Sequence, residues 1–271
     1  MGALKVDVEK VIKSKSEDLY RKLPRFVINY LKKIIHQDEM NSILAECGDR
    51  KGISFTEKVL ECLGITYTVH GLENLKDNTN CIYASNHPLG GLDGMIAITA
   101  LGEYFPDIKF VVNDLLMNIQ PLQEVFVPIN KHGNMSKDYA ARLQEIYSSS
   151  MPVYNFPAGL CSRRILGRVQ DPAWKRTFVN QAKKYNRPIV PIFFSGRNSR
   201  FFYNLSKFRK AIGIKFNIEM IYLPDEMFKQ RNRHFDLYIG TPISCEELNN
   251  GMTSAQWTEE IRNRCYKLGN K

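Results

Sequence analysis

From Ile65 onward the sequence alternates short apolar runs with longer stretches of helical periodicity, and this alternation restricts the possible folds more than any other feature. Strand candidates fall at residues 65–69, 81–85, 108–112, 125–129, 152–156, 189–194, 216–223 and 235–239. Helical stretches separate them at 94–104, 136–148, 173–185 and 254–267. Strands interleaved with helices bury both faces of a sheet, so the expected fold is α/β, with a mixed, largely parallel sheet flanked by helices. The residues before Ile65 carry helical spacing at 6–15, 23–35 and 54–63, with Ser54 as the expected N-cap of the third. The expected division is therefore an N-terminal helical region, 1–63, and an α/β domain, 64–271. No internal repeat and no low-complexity segment interrupts either part.

Three of the apolar runs end in turns rich in proline, glycine and polar groups. The first is Asn86-His87-Pro88-Leu89-Gly90-Gly91-Leu92-Asp93-Gly94, between a buried strand and a helix. The second runs from Phe156-Pro157-Ala158-Gly159 to Arg163-Arg164, and the third is Phe194-Ser195-Gly196-Arg197. Strand ends of open α/β sheets are where crevices form, so three such turns point to one shared cleft. Within it, His87 has the chemistry of a general base, and Asp93 is the nearest carboxylate able to hold its second ring nitrogen. Simple capping of the following helix by Asp93 stands as the alternative.

The formal net charge is +10, and it is unevenly placed. Between Cys161 and Lys215 stand fourteen Lys or Arg against the single acid Asp171. A basic region of this kind implies a polyanionic partner or, alternatively, a merely solvated surface. Aromatic residues interleave there (Phe201, Phe202, Tyr203, Phe208), but no nucleic-acid motif accompanies them, which leaves nucleic acid the weakest reading. Segment 23–35 is basic and amphipathic, compatible with a packed accessory helix or with one lying in a membrane interface. Six cysteines lack C-x-x-C pairs and close histidines, so neither a zinc site nor a disulfide framework is expected. The start lacks a secretory signal, and no window approaches ~18 apolar residues. The expected location is cytoplasmic, peripheral on the inner face of the cell membrane.

Asn86-His87 to Asp93-Gly94, then Phe156-Pro157-Ala158-Gly159, then Val190-Pro191-Ile192 resemble, in order and spacing, the motif blocks of the PlsC-type glycerolipid acyltransferases. The similarity is strongest to a hemolysin-like bacterial branch that includes O-acyltransferases making ornithine and glycine lipids. The resemblance implies a glycerol-3-phosphate acyltransferase-like fold and acyl transfer from an acyl thioester to a lipid hydroxyl. It implies His87 as general base, Asp93 as its orienting carboxylate, and no metal or redox cofactor. The donor would be acyl carrier protein or coenzyme A, both anionic. Substrate contacts would come from Asn86, Gly90, Gly91, Lys131, Phe156, Pro157, Ala158, Gly159, Arg163 and Arg164.

Departures from the family pattern bear on the acceptor. Five residues separate His87 from Asp93 where the family has four, and Ala158, Leu160 and Cys161 stand where it has Glu, Thr and Arg. Lys131 replaces an arginine that would grip phosphate bidentately. These changes favour a lyso-amino-acid lipid over lysophosphatidic acid. A catalytically inactive lipid-binding protein of the same fold and a lysophosphatidic acid acyltransferase are the alternatives.

Overall fold

The computed structural model describes residues 5–75, 79–129 and 137–270. Its strands are β1 (Thr66–His70), β2 (Ile82–Ser85), β3 (Lys109–Asn113), β4 (Phe126–Ile129), β5 (Val153–Asn155), β6 (Arg163–Ile165), β7 (Arg168–Gln170), β8 (Ile189–Phe194) and β9 (His234–Ile239). Seven of them form one sheet in the order β1-β9-β8-β2-β5-β3-β4, while β6 and β7 make a separate antiparallel hairpin. Within the large sheet only β8 and β9 pair antiparallel, with Ile192 opposite Ile239; the other neighbours are parallel. The mixed, mostly parallel sheet is the one the alternation predicts.

Position in the sheet follows from composition. Every residue of β2 and β5 is buried, and five of the six in β8, as expected for near-continuous apolar runs with helices on both faces. β2 lies between β8 and β5, with Ile82 level with both Ile189 and Val153. The turn after Ser85 therefore leaves from the middle of the sheet.

Helices cover both faces. On one lie α4 (Gln37–Cys47), α5 (Gly52–Cys62) and α6 (Gly91–Gly102), whose apolar residues share a core with Tyr83, Phe110 and Ile192. On the other, α7 (Lys137–Ser148), α8 (Thr177–Tyr185), α11 (Cys245–Leu248) and α12 (Ser254–Leu268) pack with Ile82, Val153 and Ile189. A Cβ on Gly102 would lie 2.5 Å from the Ile53 side chain, so α5 and α6 approach too closely for a larger residue. The expected boundary at residue 63 falls between α5 and β1, and the core runs across it.

Ahead of these stand α1 (Val8–Lys15), α2 (Glu17–Lys22) and α3 (Arg25–Ile34). The remaining helices are α9 (Arg200–Ala211), capped by the Ser199 side chain on Phe202 N–H, and α10 (Leu223–Phe228). Two expectations fail here. Ser54 caps nothing: α5 begins at Gly52, and the Ser54 hydroxyl donates back to Lys51 O at 2.9 Å. Residues 216–223 are no strand but a 3-10 turn, Ile218–Tyr222, that leads into α10, because Glu219 is drawn inward by two arginines.

Candidate active site

The turn between β2 and α6 is fixed from several directions. The Asn86 amide donates to Phe194 O at 2.9 Å and accepts from Phe194 N–H at 2.7 Å, extending the β2–β8 pairing by one residue. His87 N–H donates to both carboxylate oxygens of Asp171 at 3.2 Å, and His87 O accepts from Ser162 N–H at 2.7 Å. Gly90 then takes φ +88°, a conformation open to glycine but strained for other residues. That turn leads into α6 and places Asp93 in its first turn.

Asp93 is fully buried and meets the imidazole. His87 Nδ1 donates to Asp93 Oδ2 at 3.0 Å, and the same carboxylate accepts from Leu89 N–H at 3.0 Å and Gly94 N–H at 2.9 Å. The N-cap of α6 is Gly90, which has no side-chain cap bond, so Asp93 holds the turn and the ring and is not the helix cap that the alternative reading expects. In the neutral ring, an Nδ1–H directed at a carboxylate puts the lone pair on Nε2. Nε2 has no hydrogen-bond partner among the described residues. Phe156 stacks on the ring with centroids 4.0 Å apart and planes at 27°, leaving the His87 side chain 18% exposed.

A second buried carboxylate, missed in the sequence as a site residue, supports this turn. Asp171 accepts from the Ser162 hydroxyl at 2.6 Å and from Trp174 Nε1–H at 3.0 Å, in addition to His87 N–H. Its own N–H donates to the Tyr266 hydroxyl of α12 at 2.8 Å. Burial raises its pKa, and the three donors pull against that rise. The available signal was its isolation as the one acid in a long basic stretch.

The second turn closes with Gly159 N–H on Phe156 O at 2.9 Å and Gly159 at φ +63°. Its side chains divide differently from the expectation. Phe156 touches His87, Gly159 is exposed, and Pro157 is buried. Ala158 is buried in the core layer with Trp174 and Phe178, so its methyl is packing and only its backbone remains for a substrate. The Asn86 side chain is likewise spent on Phe194, while Gly90 and Gly91 keep partly open backbone at the start of α6. Lys131 lies outside the described residues.

Arg163 corrects a further expectation. It is 3% exposed, donates to Cys161 O at 2.7 Å and Ser162 O at 3.1 Å, and pairs with Glu219 at 3.0 Å. Arg209 approaches the same buried carboxylate at 2.8 Å. Arg187 is also internal and spends its guanidinium on backbone carbonyls, among them Asn80 O at 2.7 Å and Tyr147 O at 3.2 Å. Three of the fourteen basic residues between Cys161 and Lys215 are therefore structural, whereas Arg164 is exposed on β6. Cys161 is buried, and burial pushes its thiol up to about 11, which suits packing better than nucleophilic attack. Among the described residues no group of three or more His, Cys, Asp or Glu is placed to hold a metal ion.

A family model described as Acyltransferase matches residues 10–271. The chain belongs to the acyltransferase family. Two curated relatives of this acyltransferase, from Phocaeicola vulgatus and Bacteroides thetaiotaomicron, are each named lyso-glycine lipid O-acyltransferase. Each is 44% identical over 264 residues, covering 97% of this chain and 95% and 97% of the relatives. Among solved structures, the acyltransferase is similar to the 1-acyl-sn-glycerophosphate acyltransferase PlsC of Thermotoga maritima. That match has 16% identity and a TM-score of 0.49, and covers 93% of this chain and 87% of the other.

Proposed function

We propose that this acyltransferase moves a fatty acyl group from an acyl thioester to the free hydroxyl of a lyso-amino-acid lipid, lyso-glycine lipid first among them. The observation that carries the catalytic part is the His87 Nδ1 to Asp93 bond at 3.0 Å, with no partner on Nε2 among the described residues. An alkanol is a poor nucleophile until a base accepts its proton, an effect worth ~10²–10⁴-fold. His87 Nε2 takes the hydroxyl proton as the oxygen attacks the thioester carbonyl carbon. Asp93 stabilises the imidazolium that results. The C–S bond then breaks, and the departing sulfur takes the proton back from Nε2. Backbone N–H groups at Gly90 and Gly91, at the positive end of α6, suit the transient oxyanion.

The acceptor assignment draws on the printed names of the two relatives and on the departures from phosphate recognition. Ala158 contributes no polar group, and Arg163 is held by Glu219. Both points weigh against lysophosphatidic acid, and the intact His87–Asp93 pair weighs against an inactive lipid binder. The donor is acyl carrier protein or coenzyme A, and the enzyme works at the inner face of the membrane. No helix among the described residues is long and apolar enough to cross a membrane, which agrees with peripheral contact.

The test supplies purified protein with lyso-glycine lipid or lysophosphatidic acid, and with acyl carrier protein or coenzyme A thioesters, and reads diacyl product by mass spectrometry. Product from lyso-glycine lipid that falls by ~10²-fold or more in His87→Ala is expected. Product from lysophosphatidic acid alone would overturn the acceptor, and undiminished turnover in the variant would overturn the mechanism.

A further inference from the structure

The side of the molecule formed by α3, α9 and the residues leading to α10 carries apolar groups that nothing among the described residues covers. On α9, Phe201, Phe208 and the following Ile212 recur at the spacing of one helix face, with Phe208 60% exposed. The opposite face of the helix is committed inward through Phe202, Tyr203, Ser206 and Arg209. Phe216, 69% exposed, extends the surface beyond the helix end. In the other direction, Phe201 meets the Tyr222 ring edge-on with centroids 5.0 Å apart, and the Tyr222 hydroxyl bonds that of Tyr30 at 2.9 Å. Phe26, one turn before Tyr30 on α3 and 73% exposed, continues the patch. Segments nearly two hundred residues apart in sequence thus contribute to one aromatic surface.

Charge identifies what this surface meets. Residues 172–217 contain no acid, and Arg200, Lys207, Lys210 and Lys215 are exposed. At 3.6 residues per turn, Arg200 and Lys207 both lie about 100° to the same side of the aromatic stripe on α9, so cations line one flank of the apolar groups. Aromatic groups flanked by cations suit the boundary between acyl chains and anionic headgroups, where the rings leave water and the cations meet phosphate. An acidic protein without an apolar face would satisfy only the charges.

The same unit is tied to the catalytic turn. Glu219 joins Arg209 of α9 to Arg163, which directly follows the Ser162 that holds the His87 carbonyl. Leu223 packs against Gly90, where an added Cβ would lie 3.0 Å from its side chain. We infer that this face seats the enzyme on an anionic lipid surface and holds the His87 turn beside the membrane from which the acceptor is taken. The choice of lipid as occupant rests on the lipid-acceptor reading; the exposed face itself does not.

The experiment is co-sedimentation of the full chain with phosphatidylcholine vesicles, with and without phosphatidylglycerol. Wild type and His87→Ala are expected to partition alike, and more strongly onto the anionic vesicles. Phe208→Ser/Phe216→Ser lowers that partition by roughly tenfold or more while leaving the thermal melt unchanged, because both rings are exposed. Equal partition of this variant and wild type overturns the inference, as does absence of wild-type binding to anionic vesicles. A solution dimer that the double variant dissociates assigns the face to a second copy and overturns it too. If the variant loses binding while wild type acylates no lyso-lipid, the docking face stands and the proposed reaction falls.

Discussion

At His87 the chain solves an orientation problem with residues close in sequence and others far from it. Asp93 holds the ring, and Asp171, through the main chain, holds the residue that carries the ring. Asp93→Asn keeps the shape but replaces one acceptor oxygen with a donor, which disfavours the tautomer with Nδ1–H and no longer stabilises the imidazolium. A fall in kcat of ~10²–10⁴-fold, with little change in the acceptor KM, is expected from steady-state kinetics. A variant with wild-type kcat would reduce Asp93 to an acceptor for the Leu89 and Gly94 N–H groups of the turn. His87 and Asp93 were legible in the sequence because the turn joining them is local and its glycines announce it. Asn86, Ala158 and Arg163 were not, because a motif gives position along the chain without saying which way a side chain points. Their directions are set by Phe194, the Trp174 layer and Glu219, all distant in sequence.

Among the elements, the same contrast separates the sheet from the α9 region. Apolar runs fixed β2, β5 and β8, since burial on both faces leaves an unbroken hydrophobic signature. Residues 216–223 open with the alternation of a strand, and Glu219 stands in phase with it, so the pattern does not mark the turn. This carboxylate is fully buried between Arg163 and Arg209, and Arg209 also donates to Ile214 O at 2.7 Å, gathering the chain into a turn. Periodicity cannot register a partner 56 residues away. Glu219→Gln leaves two buried guanidinium groups facing a neutral amide, and losing one side of a buried ion cluster costs about 3–5 kcal/mol. Chemical denaturation should resolve a loss of that size, and a midpoint unchanged from wild type would exclude a structural role for the cluster.

For the whole molecule, the balance of charge sets the response to acid. Against 38 Lys and Arg stand 28 Asp and Glu, and several of those carboxylates are held below their ordinary range. The Lys32 hydrogen bond holds Glu9 at about 2, and the His36 hydrogen bond lowers Glu39. At Glu219 and Asp225 burial acts to raise the pKa, but is outweighed at Glu219 by its own backbone N–H and two arginines, and at Asp225 by Lys229 and His36. A carboxyl whose folded pKa lies below its unfolded value of about 4 contributes stability above that value and loses it as pH falls toward the folded one. Protonation also leaves the cations unopposed, adding repulsion across the fold. Asp171 acts in the opposite sense, since its raised pKa makes the folded state bind a proton more readily. One such group set against four lowered ones does not reverse the trend. The melting temperature should therefore fall as pH is taken from about 5 to about 3, and the fall should be shallower in Glu219→Gln, which has one lowered carboxyl fewer. A melting temperature that rises over this interval would mean that relief of the buried Asp171 charge outweighs the lost ion pairs.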